Sequence, residues 1–200
     1  MTQRNQPALS LSRDDIFRAH RLGQEIWVFA YASLIWRPDF SPEIQLPALV
    51  HGFHRGLQMW SRINRGTPER PGLVFALLPG GSCRGVAMKI RPSDMTQVLD
   101  MLWDREMPTN TYTPRWVKAQ TPDGPKQALA FTLPRGHPQI TGHLSHDQYA
   151  QIFRLSKGRY GTTLDYAVDT LIGLEAIGIR DNPLRRLLRP YINLPDHRST

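Results

Sequence analysis

Glu106 is where the residue pattern of this 200-residue chain first suggests chemistry. It follows an apolar series, Met95, Val98, Leu99, Leu102 and Trp103, spaced i, i+3, i+4, i+7, i+8 as one face of a helix. At about 100° per residue, Glu106 falls about 20° from Met95 on one side and about 20° from Leu99 on the other. Asp104 and Arg105 project away from that line, toward water. If the helix persists through its last turn, the carboxylate continues the buried stripe. Such burial is costly without partners and raises a carboxyl's pKa, which suits it to take up and return a proton near pH 7. The other reading is a helix that ends at Trp103 and leaves Glu106 an ordinary loop residue. Glu175 also falls on the line of its own stripe (Leu164, Val168, Leu171), so geometry alone does not single out one glutamate.

The remaining reactive side chains are less suggestive. His143 and His146 flank Ser145, which caps a helix between them, and no third His or Cys ligand stands at a recognisable spacing, so no metal site is expected. His51 and His54 are three apart along a strand and therefore on opposite faces. Cys83 beside Arg84 reads as a strand-edge cysteine. As the only cysteine it excludes an internal disulfide and a Cys-based zinc site.

The elements that must position these groups follow from pattern and punctuation. Ser12 with Asp15 caps a short helical turn around Ile16 and Phe17. Residues 26–31 (Ile-Trp-Val-Phe-Ala-Tyr) form a strand that empties into a loop over 32–40, and a second β region covers 48–61. Residues 64–72 are a dense Gly/Pro turn. Residues 73–78 and 84–90 read as two strands joined across Pro79-Gly-Gly-Ser82 in a hairpin. Ser93 caps a helix over 94–105, strands follow at 111–119 and 126–133, and the last third is helical. There a Ser145/Gln148 capping box starts one helix, Thr163 opens another closed by Gly178, and Asn182-Pro183 begins a basic one. This order predicts a mixed α+β fold. The expected domain covers 25–190, with an N-terminal extension over 1–24 and a tail over 191–200.

Composition narrows the partners. The net charge is 25 − 17 = +8, carried by 21 Arg and 4 Lys spread along the chain. No run of five basic residues, zinc-finger spacing or aromatic RNA-binding pattern appears, which argues against nucleic acid. No apolar stretch approaches the roughly 20 residues that span a bilayer, and no apolar leader follows Met1. A cytoplasmic protein without a membrane partner is expected, its oligomeric state open.

Three segments together carry a resemblance. Trp27-Val-Phe-Ala-Tyr-Ala-Ser-Leu-Ile-Trp-Arg-Pro-Asp-Phe40 resembles the opening of the ChaC-type, glutathione-specific γ-glutamylcyclotransferases, roughly V-F-G-Y-G-S-L-I-W-x-P-x-F. Arg65-Gly-Thr-Pro-Glu-Arg-Pro-Gly72 is similar to the family's R-G-T-P-E-x-P-G stretch, and Leu102-Trp-Asp-Arg-Glu106 to its L-x-x-R-E segment. The close, Leu174 to Pro183, is similar as well, so the likeness runs over about 26–188.

The resemblance implies a small, strongly curved mixed sheet or barrel with flanking helices. It implies cyclisation of the γ-glutamyl group of glutathione to 5-oxoproline with release of Cys-Gly, on a small-molecule substrate and with no cofactor. Another γ-glutamyl compound as substrate, or a non-catalytic γ-glutamyl-binding protein, is the alternative. Glu106 matches the family's catalytic acid/base. Ala30, Tyr31, Ala32, Ser33, Leu34 and Ile35 match the loop that holds the γ-glutamyl moiety, with successive N–H groups serving as an anion nest. The Ser33 hydroxyl either adds a hydrogen bond or caps the turn locally. Ala30 and Ala32 depart from the family, which has glycines there. Alanine costs on the order of 1–2 kcal/mol if φ must be positive, or its methyl narrows the pocket. Arg65 is a candidate partner for a substrate carboxylate, or else is paired with Glu69 or solvated. Tyr166 matches a tyrosine near the family's pocket, or simply packs.

Overall fold

The computed structural model describes residues 10–192. Helix α1 (Arg13–Arg21) is started by the expected capping box, with Ser12 and Asp15 exchanging side-chain-to-backbone bonds. It belongs to the region expected as an extension, yet its Ile16 is fully buried in the core beneath the site helix. Strand β1 (Trp27–Ala30) is buried on both faces and leads into a single helical turn, α2 (Ser33–Trp36), where the sequence predicts a loop.

Two long strands follow, β2 (Ile44–Ser61) and β3 (Gly72–Lys89). The predicted hairpin across Pro79–Ser82 is not formed: β3 runs through those residues as one strand. Gly80 and Gly81, at φ 105° and 71°, take up the local distortion that the sequence presents as a reversal. Ser93 is likewise not a cap. A 3-10 turn over Pro92–Asp94 precedes α3 (Met95–Glu106), and the Ser93 hydroxyl instead donates to Asp94 Oδ1 at 2.7 Å. Strands β4 (Thr113–Thr121) and β5 (Gly124–Thr132) form a tight hairpin, with Thr121 opposite Gly124.

The five strands close into a barrel in the order β1-β3-β2-β4-β5, with β5 pairing both β1 and β3 in parallel. The mixed α+β barrel with flanking helices is therefore as expected. Helix α3 covers one face, burying Met95, Val98, Leu99 and Leu102 among Val28, Ala30, Met88, Leu129 and Phe131.

The remaining elements are α4 (His146–Leu155), the short pair β6 (Lys157–Gly158) and β7 (Gly161–Thr162), α5 (Thr163–Ala176) and α6 (Asn182–Leu188). Their caps are largely as read: the Ser145/Gln148 box starts α4, and Gly178 (φ 75°) closes α5. Thr162 rather than Thr163 is the N-cap of α5.

The chain divides into two compact units. One comprises the chain up to Gly56 together with Ala76–His137; the other comprises Leu57–Phe75 and the chain from Pro138 onward. Of the expected tail only residues 191 and 192 are described, and Tyr191 packs edge-on against Phe153 at 5.1 Å. No helix among the described residues is long and apolar enough to cross a membrane.

Candidate active site

Helix α3 does reach Glu106, so the alternative of a helix ending at Trp103 is excluded. The apolar stripe pins α3 to the barrel, with Trp103 edge-on to Phe131 at 5.6 Å, and the last turn delivers Glu106 with a side chain 15% exposed. Burial pushes its carboxyl above the usual glutamate range, and the neighbouring Arg105 guanidinium pulls the other way without cancelling the shift. Asp104 is exposed, as expected. Arg105 is not: its side chain is 19% exposed and its Nε lies 3.2 Å from Glu106 Oε1.

The cradle residues leave β1 at Ala30, pass through Tyr31 and Ala32, and enter α2. Tyr31 is tied down at both ends. Its hydroxyl donates to the Phe131 carbonyl at 3.1 Å, and its carbonyl accepts from Arg55 Nη1 at 2.8 Å. The Ile35 N–H is committed to the Ala32 carbonyl at 2.9 Å, which removes it from the expected anion nest. The N–H groups of Ser33 and Leu34 stand in the first turn of α2, where a helix has no i−4 carbonyl of its own to pair them. The Ser33 hydroxyl accepts from Arg105 Nη2 at 2.9 Å, so it is linked to the end of α3 rather than capping its own turn.

The two alanines carry no left-handed strain. Asp39 and Asn110 are the only non-glycine residues at positive φ among those described, and Ala32 sits at φ −144°. Ala30 and Leu34 direct their side chains into the core cluster beneath α3, and Ile35 packs against it. Only the backbone of Ala30 and Leu34 is left for a ligand.

Arg65 and Tyr166 belong to the second unit. Arg65 is buried, contrary to the solvated or Glu69-paired alternatives. Its Nη1 donates to the carbonyls of Tyr160 and, at 3.5 Å, Thr162, and its guanidinium lies 4.7 Å from the Tyr166 ring centroid. The Tyr166 hydroxyl accepts from the Phe75 N–H at 3.4 Å. These contacts make both residues part of the framework that seats α5. Glu175 pairs with Arg185.

Two residues of the site escape a reading by pattern. Arg105 points away from the helix stripe, yet its long side chain returns to Ser33, to the Arg37 carbonyl (2.7 Å) and to Asp39 Oδ2 (2.6 Å). Asp39 stands in a stretch marked as loop by Pro38, and its φ of 58° is invisible in the sequence. The usable signal was the Arg-Glu pair itself at the end of an apolar stripe.

The ChaC-like protein family matches this chain over residues 26–191. The chain is 30% identical over 164 residues to the glutathione-specific γ-glutamylcyclotransferase of Escherichia coli K12, a match that spans 82% of this chain and 71% of that one. It is also 30% identical over 148 residues to the human glutathione-specific γ-glutamylcyclotransferase 1, covering 72% of this chain and 67% of the human protein. Among solved structures, a glutathione-specific γ-glutamyl cyclotransferase from yeast superposes with a TM-score of 0.74 at 23% identity, over 83% of this chain and 95% of that one. The barrel, the buried glutamate closing α3 and the match across most of the sequence agree, and the chain belongs to the ChaC-like protein family.

Proposed function

We propose that this protein is a γ-glutamylcyclotransferase that degrades glutathione, forming 5-oxoproline and releasing Cys-Gly. The observation that carries the reading is Glu106, a buried carboxyl with its proton affinity raised, at the end of the helix that packs beneath the cradle strand. The substrate brings its own nucleophile. Its α-amine lies a few bonds from the γ-carbonyl, so tethering supplies the proximity an enzyme otherwise has to create. What remains is proton traffic and stabilisation of charge.

Ionised Glu106 takes a proton from the α-ammonium, and the freed amine attacks the γ-carbonyl carbon. The C–N bond of the five-membered lactam forms as the carbonyl oxygen gathers negative charge. The Ser33 and Leu34 N–H groups can serve that oxygen or the α-carboxylate. As the tetrahedral centre collapses, the bond to the cysteine nitrogen breaks and Glu106-H gives its proton to the departing amine; the regenerated carboxylate then passes the second proton of the ring nitrogen to that amine, which leaves as an ammonium. Atoms balance: one glutathione gives one 5-oxoproline and one Cys-Gly, and the enzyme ends as it began. No acyl-enzyme is required, so the Ser33 hydroxyl has no nucleophilic role in this scheme. Arg65 and Tyr166 act in it as framework rather than as carboxylate ligands.

Mass-spectrometric measurement of both products from glutathione tests the reading, with Glu106→Gln as the control. Equimolar 5-oxoproline and Cys-Gly from the wild type, and a loss of at least about 100-fold in the variant, is the expected outcome. Wild-type rates in Glu106→Gln would remove Glu106 from the mechanism. No product from a folded wild type would move the substrate to another γ-glutamyl compound.

A further inference from the structure

We propose that Arg105 and Asp39 are positioning residues for this reaction. The Arg105 guanidinium, shared between the carboxylates of Asp39 and Glu106, fastens the acid/base to the turn that carries the cradle. This rests on the function proposed above for Glu106.

The geometry is that of a relay. Nη2 of Arg105 donates to Ser33 Oγ at 2.9 Å, while Nη1 donates to the Arg37 carbonyl at 2.7 Å and to Asp39 Oδ2 at 2.6 Å. Nε alone is left for Glu106, at 3.2 Å. On its far side, Asp39 Oδ1 accepts from Arg37 Nε at 3.2 Å. A planar guanidinium presents its donors in a fixed fork, so holding Ser33, Arg37 and Asp39 also orients the edge that faces Glu106. All of these residues lie in one compact unit.

The sharing has a chemical purpose. A guanidinium that closed on Glu106 through two parallel hydrogen bonds would hold the carboxylate ionised and make it a weak base. Ser33 Oγ holds Nη2, the donor parallel to Nε, and Asp39 draws Nη1 to the far side at 2.6 Å, and together they prevent that closure. Glu106 keeps a one-point ion pair with Nε that orients it without neutralising it. Among the described residues, Arg105 is the charged group that faces Glu106, Asp39 and Glu106 are the acids that face Arg105, and Arg37 is the cation paired with Asp39. Lysine in place of Arg105 keeps the charge but lacks the fork.

These arrangements give opposite signs for two substitutions. In Asp39→Asn the guanidinium is no longer shared, so Glu106 titrates at lower pH and becomes a poorer base. In Arg105→Gln the cation is gone, so Glu106 titrates at higher pH, and the cradle turn loses its tie, raising KM. The experiment follows the Glu106 carboxyl by carbon-13 NMR through a pH titration of wild type, Asp39→Asn, Arg105→Gln and Arg105→Lys. It is joined to kcat and KM against pH on glutathione for the same four proteins.

Opposite displacements of the carboxyl titration by about half a pH unit or more are expected, with the acid limb of kcat moving the same way. Arg105→Lys is expected to restore the titration toward wild type while KM stays several-fold high. An unmoved carboxyl in Asp39→Asn overturns the sharing, and an unchanged KM in Arg105→Gln and Arg105→Lys overturns the fastening. Variants that lose only thermal stability, with titration and KM intact, reduce the cluster to a structural ion pair. The NMR arm does not need turnover. If glutathione is not consumed while the carboxyl moves as stated, the substrate assignment fails and the coupling stands.

Discussion

The burial of Glu106 serves the proposed reaction at a cost to the fold. Burial raises its pKa in the folded chain, so the folded state binds that proton more tightly than the unfolded state does. Stability associated with this group is therefore lost as pH rises through the ordinary glutamate range toward the folded value, and the full cost is present above it. Glu106→Gln should remove that cost. Its Tm is expected to exceed the wild type's by the most at about pH 7–8 and to converge with it near pH 4, where both side chains are neutral. Differential scanning calorimetry across pH checks this, and a Tm deficit for Glu106→Gln at neutral pH would contradict it. The inward direction of Glu106 was legible in the sequence because a stripe of period 3.6 gives direction around a helix axis, and the family resemblance chose it over Glu175. Arg105 was not, because that angle says nothing of a long side chain that doubles back beside its neighbour to reach residues 33–39. The burial of Arg65 was hidden for a related reason: a loop arginine looks solvated until the chain that covers it is known.

Among the elements, the helices were read well and the long strands poorly, and the difference is one of range. A capping box is written in four consecutive residues, as at Ser12 and Ser145, so local sequence suffices there, whereas the start of α5 was read one residue late, at Thr163 instead of Thr162. Pro79-Gly80-Gly81-Ser82 satisfies the local rules for a hairpin turn, but whether β3 reverses there is decided by its neighbours in the barrel. The helical turn α2 was missed because four residues show no period. One glycine on β3 has a role that local rules also miss. Gly85 lies against β1, where a Cβ would collide with the Ala30 carbonyl and come within 2.9 Å of the Phe29 ring. Both residues sit in the strand that delivers the cradle. Gly85→Ala is expected to destabilise the fold by about 1–3 kcal/mol and to lower kcat/KM through displacement of residues 31–34. Chemical denaturation and steady-state kinetics on one preparation test both; an unaltered kcat/KM would show that the cradle does not depend on that close approach.

At the scale of the whole molecule, the match over 26–191 and the α+β barrel fit one family, and the +8 charge suits a substrate that is itself a net anion. The charge alone pointed to no function, since it is spread over arginines with local partners such as Arg13 with Asp100 and Arg185 with Glu175. The way the barrel closes also sets an order in time. Strand β1 pairs with β3, placing Trp27 opposite Lys89, and with β5, placing Trp27 beside Ala128. A chain emerging from the ribosome therefore carries its cradle strand with an open, hydrophobic edge until residue 132 has been made. Closure across so long a loop, partly in parallel register, predicts slow folding dominated by that last pairing. Stopped-flow refolding followed by tryptophan fluorescence should find the Trp27 signal arriving late, and Trp27→Phe should remove that late phase. Losses during synthesis should then arise from unclosed barrels rather than from the finished protein, in which every barrel strand already has a neighbour on both sides.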